Sequence, residues 1–340
     1  MRYIHYPKNI SRGRYDAAFG EYIRGFGALP EVQALWRYGG VRNPGISDLD
    51  ILAVLKKDLR ESGPEQFVID SRRFPISASL PQGTLMLMHE REFSRIHWFD
   101  AGIRLDRLWG SRDAPKEISK AWHSERLRAS IIDWLPYYLA RLIALARAPS
   151  CDVIFCLRFL RAYGFTFEHL YELAPRRRYK QFVERVRDLR DYWRTDKAQE
   201  LRDLMAEGID LGFSALRAEA DVLCSRSGSG ASGFVSLGRA VRFEFAPKNA
   251  CREDTARMHD GRVVLPIPRE YAAHFACYAE CPGMLAAEMR RGSSLPRRVP
   301  IGKRDRAYLK RKMAIATRAA LFLQRNGFSK GLFRFGFYYL

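Results

Sequence analysis

The 340-residue chain has six cysteines, Cys151, Cys156, Cys224, Cys251, Cys277 and Cys281, and none forms a CxxC pair. That excludes a disulfide framework and a thiolate zinc knuckle; sparse, reduced, buried thiols of a cytoplasmic protein are the expectation. No run reaches the roughly 18 apolar residues that a membrane span needs. The best candidate, residues 131–165, is broken by Asp133, Arg141, Arg147, Asp152 and Arg158, so no transmembrane segment is expected. The opening MRYIHYPKNISRGR lacks the apolar core of a signal peptide. HExxH, GxSxG and any fixed-period repeat are also missing. Acidic residues are scarce toward the end: residues 290–340 carry 14 basic side chains and the single acid Asp305.

What remains is a globular composition, 47% hydrophobic and 28% charged, with a formal net charge of +20. At about 150 residues per domain the length suits two domains. The charge surplus points to an anionic partner: nucleic acid, nucleotide phosphates or an acidic membrane surface. Residues 1–130 hold 21 basic and 16 acidic side chains, so most of the surplus lies beyond them.

The pattern predicts an α+β chain. A helix is expected over 15–28, stopped by Leu29-Pro30, then strands at 34–38 and 49–55, the latter apolar on both faces and therefore central in a sheet. Residues 66–70, 84–88 and 103–109 are further strand candidates, and 90–99 a short helix. From 119 to about 224 the periodicity is helical. SRSGSGASG (225–233) reads as a flexible loop. Strand-like stretches follow at 234–245 and 262–267, and helices at 270–291 and 304–326. The expected division is a mixed-sheet domain over 1–118 and a mainly helical, acceptor- or anion-binding region with a small β insertion over 119–340.

The stretch that carries chemistry is WRYGGVRNPGISDLDILAVL, residues 36–55. A Gly-Gly step ends one strand, and seven residues later Asp48-Leu49-Asp50 opens an apolar one. Residues i and i+2 of a strand share a face, so Asp48 and Asp50 project together while Leu49 and Ile51 face the other way. Paired carboxylates repel unless a cation lies between them. Mg²⁺ suits such oxygen ligands when substrate phosphates complete its shell, and two ions would clamp both oxygens of an in-line displacement at phosphorus. Gly39 and Gly40 leave room for a triphosphate against the backbone, and Arg42 is a candidate phosphate contact.

Tyr38-Gly39-Gly40 followed by Asp48-x-Asp50 resembles the nucleotidyltransferase superfamily typified by DNA polymerase beta and the minimal nucleotidyltransferases. The likeness is close over about 20 residues and loose over the first 110. It implies a mixed sheet with helices, an NTP substrate, two Mg²⁺ ions on Asp48 and Asp50, a triphosphate on Gly39-Gly40, and a third carboxylate on a neighbouring strand. Asp106 in IRLDRLW is the leading candidate for that third acid, with Asp70 and Glu90 as rivals. GGVRN also resembles the Gly-Gly-x-Val-Arg-Asp opening of tRNA-end-adding enzymes, but the insert is shorter and Asn43 replaces the Asp; the match is taken as coincidence.

The expected function is a Mg²⁺-dependent transfer of a nucleoside monophosphate from an NTP to an unidentified acceptor, with release of pyrophosphate. Helices 119–224 would then shape the acceptor pocket. The alternative is a non-catalytic nucleotidyltransferase-like protein that binds RNA or an anionic membrane through the basic residues 290–340, among them Lys310, Arg311 and Lys312. A third carboxylate in the site separates the two. Other signals read blandly. Gly228–Gly233 matches GxGxxG but follows a helical run, so it is a loop. His274, Cys277 and Cys281 share a helix face as core residues, and Arg176-Arg177-Arg178 is a solvated helix start.

Overall fold

The structure is a computed structural model. It describes every residue except 1, 57–62, 82, 100, 225–231, 238–239, 282–292, 296–300, 329–333, 336–337 and 340. The chain is α+β, with mixed sheets, and divides into two units. The division falls between Ile118 and Ser119, with two exchanges against the expected boundary: residues 2–6 group with the helical unit, and residues from Ile315 onward group largely with the first.

The sheet unit begins after strand β1 (Arg2–Ile4), which belongs to the other unit. Helix α1 (Arg12–Gly27) buries Tyr15, Ala18, Phe19, Tyr22 and Phe26 on one face, the i, i+3, i+4 spacing of an amphipathic helix. Strands β2 (Val32–Tyr38) and β3 (Asp50–Leu55) pair antiparallel. Strand β4 (Leu85–His89) lies parallel to β3, and β5 (Leu105–Gly110) antiparallel to β2, giving the order β4-β3-β2-β5. Ile51 to Leu55 are all buried, as a central, doubly covered strand requires.

One layer against this sheet is an aromatic cluster in which Phe26 stacks on Phe74 (4.9 Å) and Phe67 (6.0 Å), while Tyr22 lies 5.4 Å from Phe74. A Cβ on Gly25 would stand 2.6 Å from the Phe74 ring, so the close packing requires glycine there. Two short helices, α2 (Pro75–Ala78) and α3 (Glu90–Phe93), flank β4 in sequence. Glu21 caps α2 by accepting the amides of Ile76 (3.0 Å) and Ser77 (2.8 Å). Phe93 of α3 packs on Trp36. The expected strand at 66–70 is a 3-10 turn, residues 64–67, followed by irregular chain: Pro64 sits at its first helical position, and Phe67 is buried while Val68 is exposed.

The helical unit packs α4 (His123–Arg147), α5 (Val153–Leu173), α6 (Arg177–Asp191) and α7 (Ala198–Ala218) around Tyr163, Phe167, Tyr179 and Phe182. A Cβ on Gly212 of α7 would meet the Tyr163 hydroxyl at 2.1 Å, so a glycine lets that helix approach. β1 pairs parallel with β6 (Ser150–Asp152). After the short α8 (Ala220–Leu223) comes a second four-stranded sheet, in the order β7-β8-β10-β9. Its strands are β7 (Phe234–Leu237), β8 (Val241–Ala246), β9 (Arg257–His259) and β10 (Arg262–Pro268). The single strand expected over 234–245 is thus two antiparallel strands. Asp260 and Gly261, both at positive φ, form the tight β9–β10 hairpin turn. Of the GxGxxG stretch, residues 228–231 lie outside the described residues.

Helix α9 (Ala272–Ala279) places Phe275 near Phe243 and Phe245. The last long helix, α10 (Lys303–Arg325), contributes residues 303–314 to this unit. At the centre of α4, buried Asp133 accepts from His274 Nε2 (2.8 Å), the Tyr278 hydroxyl (3.0 Å) and buried Lys312 Nζ. Three helices therefore meet on one carboxylate. Lys312 is not part of an exposed basic face, contrary to the expectation for residues 310–312; Lys310 and Arg311 are exposed. His274 is a core histidine held by Asp133. Residues 120–147, ending in α4, are the one described helix long and apolar enough to cross a membrane, and 61% of its most apolar window is buried inside the protein.

Candidate functional site: the Gly39-Gly40 turn and Asp48-Leu49-Asp50

The antiparallel register sets Tyr38, at the end of β2, opposite Asp50, at the start of β3. The Gly-Gly step and the acidic pair therefore stand at the same end of the sheet. Gly39 takes φ +76°, a conformation that favours glycine, and its amide donates to the Arg104 carbonyl (2.9 Å), which ties the turn to β5. Gly40 needs no such φ and is exposed. A Cβ on either residue would meet no atom within 4 Å. Packing inside the protein gives no reason for glycine at 40, and its backbone is open.

The spacer between the two motifs is a fixed turn. The amides of Ile46 (3.0 Å) and Ser47 (2.8 Å) donate to the Asn43 carbonyl, and the Asn43 amide donates to Ser47 Oγ (3.1 Å). Tyr15 of α1 clamps this turn from the core: its hydroxyl accepts from the Gly45 amide (3.1 Å) and donates to the Ser47 carbonyl (2.7 Å). Gly45 takes φ +87°, and a Cβ there would lie 2.0 Å from the Lys8 carbonyl oxygen. Tyr15, Gly45 and Ser47 are positioning residues that the sequence reading did not single out. Their signal is Asn43-Pro44-Gly45, a turn composition whose partner lies 30 residues away on a helix face.

Asp48 is half-buried, Leu49 is 1% exposed and Asp50 is half-buried. Leu49 thus enters the core while the two acids keep partial access to solvent. Asp50 Oδ1 accepts the Thr84 amide (2.8 Å) just before β4, which fixes its carboxylate at the β3–β4 junction. Its negative charge also reaches Tyr22, whose phenol burial pushes up to about 12 against a Ser77 hydrogen bond, with smaller contributions from the Glu21 and Asp50 charges.

The structure does not bring Asp106 to this pair. Asp106 stands opposite Arg37, and Arg37 stands opposite Ile51; Tyr38 and Asp50 form the next register pair. Strand alternation assigns Asp106 and Asp50 to opposite faces, two strand spacings or about 10 Å apart. Arg37 donates to Asp106 Oδ2 through Nε (3.1 Å) and Nη2, leaving an exposed ion pair on an edge strand. Glu90 follows the far end of β4: His89, opposite Leu55, lies about 17 Å along the sheet from Asp50 at roughly 3.3 Å per residue, and Glu90 comes after it. Glu90 faces Arg112 instead (3.7 Å).

Asp70 caps a turn. Its Oδ1 accepts the Arg72 (2.8 Å) and Arg73 (3.0 Å) amides, and the amide bonds from Arg73 and Arg72 hold its carboxyl below the usual range. Among the described residues no three or more His, Cys, Asp or Glu side chains converge as metal ligands. Asp48 and Asp50 remain the candidate metal-holding pair. Two carboxylates and a triphosphate suit Mg²⁺. Arg42 is exposed beside the turn.

Comparison with protein-family models, with curated proteins and with solved structures finds no match to this chain.

Proposed function

We propose that the sheet unit binds a Mg²⁺-complexed nucleoside triphosphate at the Gly39-Gly40 turn and Asp48-Asp50, and transfers the nucleoside monophosphate to an acceptor with release of pyrophosphate. The observation that carries this reading is the cross-strand pairing that sets two unhindered glycines beside two half-buried acids, with the spacer between them clamped by Tyr15. A flexible spacer would leave the relation of the motifs undefined; a fixed one pre-organises phosphate and ligand positions at no cost on binding.

Asp48 and Asp50 hold the ion in this reading. Mg²⁺, when bound, supplies neutralisation of the triphosphate charge. Because the Gly39 amide is committed to Arg104, a phosphate oxygen would meet the backbone after it, at the exposed Gly40. Arg42 adds an exposed cation to the same rim. The test is Mg²⁺-dependent pyrophosphate release with each of the four NTPs, with and without RNA. Asp48→Asn and Asp50→Asn should each abolish it in a folded protein, and full activity in either refutes the assignment.

A second reading, nucleotidyltransferase-like binding without turnover, is favoured by one observation: Asp106, the leading third acid, is paired with Arg37 on the other face of the sheet. In that case NTP binds without pyrophosphate release. Binding to RNA or anionic vesicles is then steeply salt-dependent, because neutralised phosphates release counterions. Lys310→Ala with Arg311→Ala flattens the salt slope.

A further inference from the structure

We propose that Cys151 and Cys156 form a dithiol site that a hydroperoxide converts to a disulfide. The proposal stands apart from the nucleotide site, because it rests only on the helical unit.

Cys151 lies on β6 and Cys156 in the first turn of α5, with Asp152 between them capping the helix by accepting the Phe155 amide (2.9 Å). Strand and helix start are thereby fixed so that the two sulfurs face each other at 3.3 Å. Bond formation requires closure only to about 2.05 Å. Both thiols are buried, so reaction proceeds through local opening. Beside Cys151, β1 pairs with β6 over three residues, with Tyr3 opposite Cys151, and the Tyr3 hydroxyl ties β1 to the Ala198 carbonyl (3.0 Å).

The pair is also polarised. The Cys156 S–H donates to Cys151 when the latter is a thiolate, which holds Cys151 below the usual thiol range and pushes Cys156 up. Burial pushes the other four the opposite way from Cys151: Cys251 and Cys277 up to about 12, and Cys224 and Cys281 upward. Cys151 is therefore the thiol richest in nucleophilic thiolate.

In the first step the Cys151 thiolate attacks one peroxide oxygen and the O–O bond breaks. The departing oxygen leaves as hydroxide, or alkoxide for an organic peroxide, and takes a proton, leaving a sulfenic acid on Cys151. Cys156 then loses its proton to solvent and attacks Sγ of Cys151. The S–S bond forms, the S–O bond breaks, and hydroxide leaves to become water. For hydrogen peroxide, two thiols and one peroxide give one disulfide and two waters; the sulfurs are oxidised and the peroxide oxygens reduced.

The experiment is a hydrogen peroxide titration of the reduced full chain, quenched by thiol alkylation and read by peptide mass mapping. The expected first product lacks two hydrogens, located in a Cys151–Cys156 cross-link that forms at least about tenfold faster than oxidation at the other four cysteines. Cys156→Ser should yield no disulfide and a dimedone-trapped sulfenic acid at Cys151. If that variant fails to fold, the wild-type map decides alone. The proposal is overturned if Cys151 and Cys156 remain alkylatable while other cysteines oxidise, or if Cys277–Cys281 cross-links first.

Discussion

At the scale of single residues the account separates two aspartates that look alike in sequence. Asp50 is anchored by the Thr84 amide at the end of the sheet that carries the glycines, whereas Asp106 neutralises Arg37 on the opposite face. Asp106→Ala should therefore leave Mg²⁺-NTP affinity within about twofold of wild type, since surface ion pairs contribute roughly 0–1 kcal/mol. Titration calorimetry checks this; a tenfold loss would return Asp106 to the site. Tyr15 makes the opposite case, a buried hydroxyl far in sequence from either motif that fixes the second half of the spacer at Gly45 and Ser47. Tyr15→Phe should cost about 1–3 kcal/mol of stability, by leaving the Gly45 amide without its acceptor. It should also weaken NTP binding, because the turn between the motifs loosens. Chemical denaturation and nucleotide titration on one preparation measure both.

At the scale of elements, the helices and strands that the residue pattern announces are those whose periodicity is local. The continuous apolar run of β3 and the apolar stripe of α1 each sit inside one segment. The 66–70 stretch reads as a strand because Phe67, Val68 and Ile69 are apolar in a row, yet Pro64 starts a 3-10 turn and only Phe67 among Phe67 and Val68 reaches the core. The pairing of Asp48 with Asp50 is expected from strand alternation, a short-range property, although β3 begins only at Asp50. The face on which Asp106 lies was not legible, because it depends on the β2–β5 register, set by residues some 70 positions apart. Lys312 was misread for the same reason: its partner Asp133 is 179 residues away in sequence. Lys312→Met should destabilise the helical unit by about 3–5 kcal/mol, since it strands a buried carboxylate, while Lys312→Met with Asp133→Asn should recover part of that loss. Thermal melts of the three proteins test the coupling; a Lys312→Met chain as stable as wild type would show the pair to be dispensable.

At the scale of the whole molecule, two buried carboxylates held below their usual range, Asp133 and Glu21, one in each unit, contribute to the response to acid. Burial alone would raise Asp133, but the Lys312 charge and His274 overcome it and hold it below the usual range. Burial likewise opposes Glu21, and the amides of Ile76 and Ser77 with the Ser77 hydroxyl hold it down. A depressed folded value means that their stabilisation is present above the unfolded carboxylate range, roughly 3.9–4.3, and disappears as pH falls through the folded values. Stability should thus hold from neutrality to about pH 4 and decline below it, with Asp133→Asn removing part of the slope. The basic surplus, by contrast, bears on partners rather than on fold. The central claim concerns the Gly39-Gly40 turn and the acids beside it, and one measurement tests it most directly: NTP binding to the full chain with and without Mg²⁺, in wild type and in Asp50→Asn. The account predicts Mg²⁺-dependent binding in the wild type, lost in Asp50→Asn while the melting temperature is retained. Equal affinity in the two proteins, or no NTP binding with Mg²⁺ present, would contradict it.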